Sequence, residues 1–79
     1  MKMYLVSDNI DTQMGMRLAG IEGVVVHEKD EVIEALEKVK ADEEVAVVLI
    51  TEKLVTVCHD YVYEMKVSSH RPLVVIIPD

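Results

Sequence analysis

Tyr4-Leu5-Val6-Ser7-Asp8, followed by Gly15-Met16-Arg17-Leu18-Ala19-Gly20 and then Val24-Val25-Val26, is the stretch that decides the fold. It reads as a buried strand, a short helix stopped by glycine, and a second buried strand, which is how a parallel α/β sheet begins. Asp8, Asn9 and Asp11 are short polar side chains able to cap the helix, which the pattern places over residues 12–19. Gly15 inside that helix suggests a close backbone approach or a loosened turn. Gly20 fits the left-handed residue that ends a helix, and Gly23 reads as a second sharp turn before the strand at Val24.

Working outward, Val32, Ile33, Leu36 and Val39 recur with helical spacing after Asp30, while Glu31, Glu34, Glu37 and Lys38 fall on the opposite face. The polar run from Lys40 to Glu44 closes that helix. Val45 to Ile50 is too continuously apolar to face water on either side and belongs in the middle of the sheet. Thr51 can cap a third helix, whose apolar stripe is Leu54, Val55, Cys58, Tyr61, Val62 and Met65. Ser68, Ser69 and His70 read as a turn. Leu73 to Ile77 is then a fourth strand, entered through Pro72 and closed by Pro78, where a missing amide donor does least harm.

Strand and helix thus alternate with short connections, and each parallel crossover is expected to be right-handed. The fold class that follows is α/β. It is a three-layer Rossmann-like (flavodoxin- or receiver-like) arrangement of four parallel strands in the order 2-1-3-4, with helices on both faces. One domain over residues 1–79 is expected, with a modest core, since a domain of this size buries only roughly 60% of its unfolded surface.

Composition narrows the function classes. The longest apolar run, Val45 to Ile50, is far short of a membrane span, which needs about 18 residues or more. The first residues do not supply the apolar stretch of a secretory signal, so a cytoplasmic location is expected. Eight basic against fifteen acidic residues leave a formal charge of -7, a sign that repels phosphate backbones and argues against nucleic-acid binding. Cys58 stands alone, which leaves no intrachain disulfide and no paired thiols for zinc or redox chemistry; a packed thiol is the expectation.

In such a sheet, ligands gather at the carboxyl ends of the strands, here Ser7, Asp8, His27, Glu28, Thr51 and Pro78. A phosphoacceptor domain wants an acidic pair after the first strand and an Asp at the end of the third. Asp8 has no immediate acidic neighbour, and Thr51 holds the last position. A dinucleotide site needs a glycine-rich first turn, whereas residues 7–11 are acidic and contain no glycine. His27, His59 and His70 sit on different elements without ligand spacing, and His59 beside Asp60 does not converge on a common point. Ser7 and Asp8 have no partnering base nearby in sequence. Catalytic residues, cofactors and metals are therefore not expected.

Asp11-Thr12, then Gly15-Met16-Arg17-Leu18-Ala19-Gly20-Ile21, and later Arg71-Pro72-Leu73-Val74-Val75-Ile76-Ile77-Pro78, resemble the F subunit of archaeal and vacuolar-type (A/V-type) rotary ATPases over nearly the whole chain. The resemblance implies a non-catalytic component of the central stalk, peripheral to the membrane. It implies binding to the coiled-coil D subunit and, through it, to the ATP-hydrolysing head and the proton- or sodium-translocating membrane rotor. For the partner interface it directs attention to Arg17, Gly20, Ile21 and Glu22, together with Arg71 and Pro72, because a guanidinium beside a glycine-shaped turn offers fixed donors on a rigid surface. Family members usually continue past the fourth strand into a final helix, and this chain stops at Asp79. Apolar sheet surface left uncovered without that helix leads us to expect self-association. The competing readings are a stand-alone regulatory receiver-like domain without phosphoacceptor chemistry, and a small phosphate-handling enzyme.

Overall fold

Side chains with no solvent exposure mark where the chain is anchored: Leu5, Val6 and Ser7 on one strand, and Val48, Ile50 and Thr51 on another. A computed structural model describes residues 2–68 and 72–78. In chain order the elements are β1 (Lys2–Ser7), α1 (Ile10–Leu18), β2 (Glu22–Val25), α2 (Lys29–Ala41), β3 (Val45–Thr51), α3 (Glu52–Val57), α4 (His59–Ser68) and β4 (Leu73–Ile77). The sheet has the order β2-β1-β3-β4. Every pairing is parallel, and Leu5 lies between Gly23 and Leu49 while Val6 lies between Val24 and Ile50. This is the α/β architecture and strand order that the alternation of the sequence implied.

The two faces of the sheet are covered unequally. Val6, Val48 and Ile50 join Val32, Leu36 and Val39 of α2, Leu54 of α3, Cys58, and Val62 and Met65 of α4 in one core. On the other face α1 packs across β1 and β2 by itself and buries none of its residues fully. The expected apolar faces of the second and third helices are thus the ones that pack.

Local chemistry explains where the elements begin and end. Asn9 is the N-cap of α1: its Oδ1 accepts from the backbone N–H of Asp11 at 2.8 Å and of Thr12 at 3.2 Å, so the helix starts earlier than residue 12. At the other end Gly20, with φ +87°, closes the helix. Its N–H bonds the Arg17 carbonyl and the Ile21 N–H bonds the Met16 carbonyl, the pair of reverse bonds that defines a Schellman cap. The second helix opens from Glu28 in a reciprocal capping box with Glu31.

Several expectations require correction. The third helix is two: α3 ends at Val57, Cys58 departs from helical geometry with φ -125° and ψ 41°, and α4 begins at His59. Val55-Thr56-Val57 is a β-branched run, and Thr56 Oγ1 donates to the Glu52 carbonyl four residues back, a bond that bends helices. Thr51 stands at the N-cap position of α3 but makes no side-chain cap bond. Gly15 has no atom within 4 Å of where a Cβ would lie, so close approach is not why it is there. Gly23 is not a turn but lies within β2, where a Cβ would fall 2.6 Å from the Leu5 carbonyl oxygen and 2.7 Å from Leu5 Cβ. The close approach is there, between the two strands beneath α1. Ser68 belongs to α4, while Ser69 and His70 lie outside the described residues.

The two glycines therefore respond oppositely to a methyl group. Gly23→Ala forces backbone atoms apart and is expected to cost about 1–3 kcal/mol. Gly15→Ala fills open space in a helix and is expected to add about 0.5–1 kcal/mol. Urea-unfolding midpoints of the two variants against the parent check both signs.

Candidate functional site

The carboxyl-end rim, where a sheet of this kind holds its ligands, is occupied by its own hydrogen bonds. Thr51 Oγ1 donates to Asp8 Oδ1 at 2.8 Å and accepts from the Asp8 N–H at 3.4 Å, tying the end of β3 to the turn after β1. Ser7 Oγ accepts from the Asn9 N–H at 2.9 Å and lies 3.2 Å from the Asn9 carbonyl, to which it donates. His27 Nε2 is 3.1 Å from the Asp8 carbonyl, which only accepts, so that nitrogen carries the proton. One carboxylate oxygen of Glu31 accepts from the N–H groups of Glu28 at 3.0 Å and His27 at 3.1 Å. These two bonds, Glu28 first, hold the Glu31 carboxyl below its ordinary pKa. Ser7 and Thr51 are fully buried, and among the described residues every buried side-chain polar atom has a partner. The arrangement stitches strand ends to loops.

Other groups with chemical potential are likewise committed to structure. Cys58 is buried, its thiol donates to the Lys29 carbonyl at 3.6 Å, and burial pushes its pKa up, the reverse of a reactive thiolate. It borders a depression of about 470 Å³ between the start of α2 and the α3–α4 break, lined also by Ile33, Thr56, His59 and Glu64. His59 stacks on Tyr63 with ring centroids 6.2 Å apart, and its Nδ1 lies 3.6 Å from Asp60, too far for a hydrogen bond. Tyr61 donates to Glu37, and Lys40 is 2.9 Å from the same carboxylate and 4.9 Å from the Tyr61 ring centroid, so this cluster fastens α4 to α2. Among the described residues no group of three His, Cys, Asp or Glu side chains is placed to hold a metal. No helix among them is long and apolar enough to cross a membrane.

The residues singled out for a partner interface lie on the opposite rim, at the amino ends of the strands. Because α1 runs back from the end of β1, its Schellman cap delivers Arg17, Gly20, Ile21 and Glu22 to the start of edge strand β2. Arg17, Gly20 and Glu22 are exposed, and Ile21 is half-buried. Arg17 sits in the last turn, where a cation complements the helix dipole. With Gln13, Glu22, Gly23 and Tyr4 it lines a depression of about 290 Å³. Pro72 is buried at the start of β4, the other edge, and Arg71 lies outside the described residues. Three strand spacings separate the two edges, about 14 Å. The corner and Pro72 therefore do not form one cluster.

Sequence reasoning missed what stands between them. Asp42, Glu43 and Glu44 precede β3, and the Lys2 N–H at the start of β1 bonds the Glu44 carbonyl at 2.8 Å. Lys2 Nζ is 3.4 Å from Asp42 Oδ2, and Asp42 Oδ1 accepts from the Glu44 N–H at 2.9 Å. That backbone bond, then Lys2, keeps the Asp42 carboxyl below its ordinary pKa. With Glu22 these residues make the amino-end rim acidic. The strand order was the signal that placed them side by side. Also unforeseen is the outer face of α1, where Ile10, Met14 and Leu18, spaced four apart, are 57%, 57% and 91% exposed.

Against this geometry stand two likenesses. The sequence model of a family described as "ATP synthase (F/14-kDa) subunit" matches residues 3–79. The chain is also 34% identical over 70 residues to the F subunit of the A-type ATP synthase of Methanothermobacter thermautotrophicus strain Delta H, across 87% of this chain and 65% of that relative. It thus spans a little under two thirds of the relative's length.

Two substitutions test the account of the carboxyl-end rim. Thr51→Val removes the buried hydroxyl that bonds Asp8 and is expected to cost about 1–3 kcal/mol in chemical unfolding. Glu31→Gln probes pH: a carboxyl held below its ordinary pKa stabilises the fold above the unfolded value, about 4.3, and that contribution fades as pH falls through the folded value. The melting-temperature gap between parent and Glu31→Gln should therefore be present at neutral pH and shrink below about 4.3.

Proposed function

The chain belongs to the family of ATP synthase F subunits, and on that premise we propose that it is a non-catalytic component of the central stalk of an A/V-type rotary ATPase. In this role it binds the coiled-coil D subunit at the cytoplasmic side of the membrane and turns with it, so that ATP synthesis or hydrolysis in the head is coupled to proton or sodium movement through the rotor. The observation that carries the reading is the family match over residues 3–79. The exposed corner at Arg17 supports it, since a Schellman cap fixes the backbone and a rigid surface loses little entropy on docking.

The partner surface is the amino-end rim. A two-stranded coiled coil is about 20 Å across, two helices side by side. Laid along this rim it reaches from the corner of Arg17, Gly20, Ile21 and Glu22 to Pro72, which Arg71 precedes in the sequence. Between those ends it crosses Asp42, Glu43 and Glu44, and a net charge of -7 favours a basic partner that is steered in by the field of the whole chain. Arg17 is the cation at this acidic corner and receives an acidic side chain of the partner.

Capture of the purified D subunit by this chain checks the proposal. Arg17→Glu, which lowers the melting temperature slightly by opposing the helix dipole but leaves the protein folded at the temperature of the assay, is expected to weaken capture by about ten-fold or more. Raising the salt concentration should weaken the parent complex in the same direction. Undiminished capture by Arg17→Glu would remove the corner from the interface, and no capture by the parent chain would overturn the assignment of its partner.

A further inference from the structure

The two edges of the sheet are not alike. Edge strand β2 is four residues long, begins at Glu22, contains Gly23 and lies beside α1, all of which discourage a further strand. Edge strand β4 is Leu73-Val74-Val75-Ile76-Ile77, five apolar and mostly β-branched residues without a charge or a bulge. Leu73 and Ile76 are 61% and 39% exposed. Among the described residues no strand pairs with its outer side. Its free N–H and C=O groups call for an extended partner, and in a chain of charge -7 this uncharged edge is where another copy meets least repulsion.

The order of residues says what that partner is. Pro72 and Pro78 stand equally far from Val75, with Leu73 and Val74 on one side matched by Ile77 and Ile76 on the other. Beyond the prolines the sequence carries opposite charges, Arg71 and Asp79, again equidistant from Val75. A stretch that repeats its apolar character and inverts its charge about a central residue is complementary to itself in the antiparallel sense.

We propose that β4 pairs with β4 of a second copy about a two-fold axis through Val75, setting Leu73 against the other copy's Ile77 and joining two sheets into one of eight strands. The prolines confine the pairing to this stretch because neither can donate to a longer ladder. The outer edges of the joined sheet are then the two β2 strands, so the assembly closes at a dimer and does not extend into a filament.

Sedimentation and disulfide trapping of the 79-residue chain test this without any other ATPase component, so the outcome is independent of the partner assignment above. In the antiparallel pair residue 75 faces its own copy at a Cα separation of about 4.5–5.5 Å, within the range a disulfide spans. Val75→Cys should therefore form a covalent dimer as the main species under mild oxidation, whereas Leu18→Cys, at the most exposed apolar position of α1, should not. Leu73→Lys, at an exposed position that leaves the fold intact, should weaken self-association about ten-fold. A monomeric parent at high concentration, failure of Val75→Cys to cross-link, cross-linking of Leu18→Cys to the same extent, or unaltered association of Leu73→Lys would each overturn the proposal.

Discussion

The pairing of β1 with β3 is the constraint on which the rest of the molecule depends. The side chains of the two strands from Leu5 to Ser7 and from Val48 to Thr51 are buried. Because side chains alternate between faces, a slip of one residue would move Leu5 and Leu49 into the space of Val6 and Ile50 and strand both sets. The register is thus fixed by the core. It also carries two polar residues, Ser7 and Thr51, to the strand ends in positions water does not reach, and each must find its partner locally. The turn after β1 supplies both: Asn9 for Ser7 and Asp8 for Thr51.

That solution sets the two rims of the sheet apart. In nucleotide-binding relatives of this architecture the carboxyl-end rim stays open, with glycine-shaped turns that present backbone donors. Here the turn is capped by Asn9 and the neighbouring loop is drawn in by Glu31. The amino-end rim is built differently. Its backbone is closed by the Schellman cap and by the bond from Lys2 to Glu44, while its charged side chains stay at the surface. Exposed charge on a rigid frame is the feature on which the docking surface proposed above rests.

How much of this was legible in the sequence depends on the range of the interaction involved. Val45 to Ile50 announced a central strand because unbroken hydrophobicity excludes water from both faces, and the stretch opening at Asp30 announced a helix because its buried face is written at helical spacing. Gly20 announced its left-handed backbone. Gly23 misled, because a glycine required by a close neighbouring strand looks the same in sequence as one required by a turn; only the pairing with Leu5 distinguishes them. The bend at Cys58 was hidden for a related reason. Periodicity runs through Leu54, Cys58, Val62 and Met65 as if the helix were whole, and the competing bond from Thr56 to Glu52 leaves that pattern untouched. The role of Thr51 as a partner of Asp8, 43 residues away, has no local signal at all. Local motifs pointed to the exposed corner at Arg17 but gave no sign of the acidic residues near it, because the amino-end rim assembles segments distant in the chain.

Charge then sorts the surfaces from one another. The acidic residues gather at helix starts and along the amino-end rim, and none falls on β4. A surface of net negative charge draws an oppositely charged partner over a distance of about a Debye length, roughly 8 Å at physiological ionic strength, and salt weakens that attraction. An uncharged strand edge acts only on contact, and salt does not weaken it in this way, since screening also lessens the repulsion between two acidic copies. The rim and the edge meet at Pro72, yet they answer to different physical variables, ionic strength for one and strand chemistry for the other. The two proposed associations can therefore be disturbed one without the other, which a single apolar patch serving both would not permit.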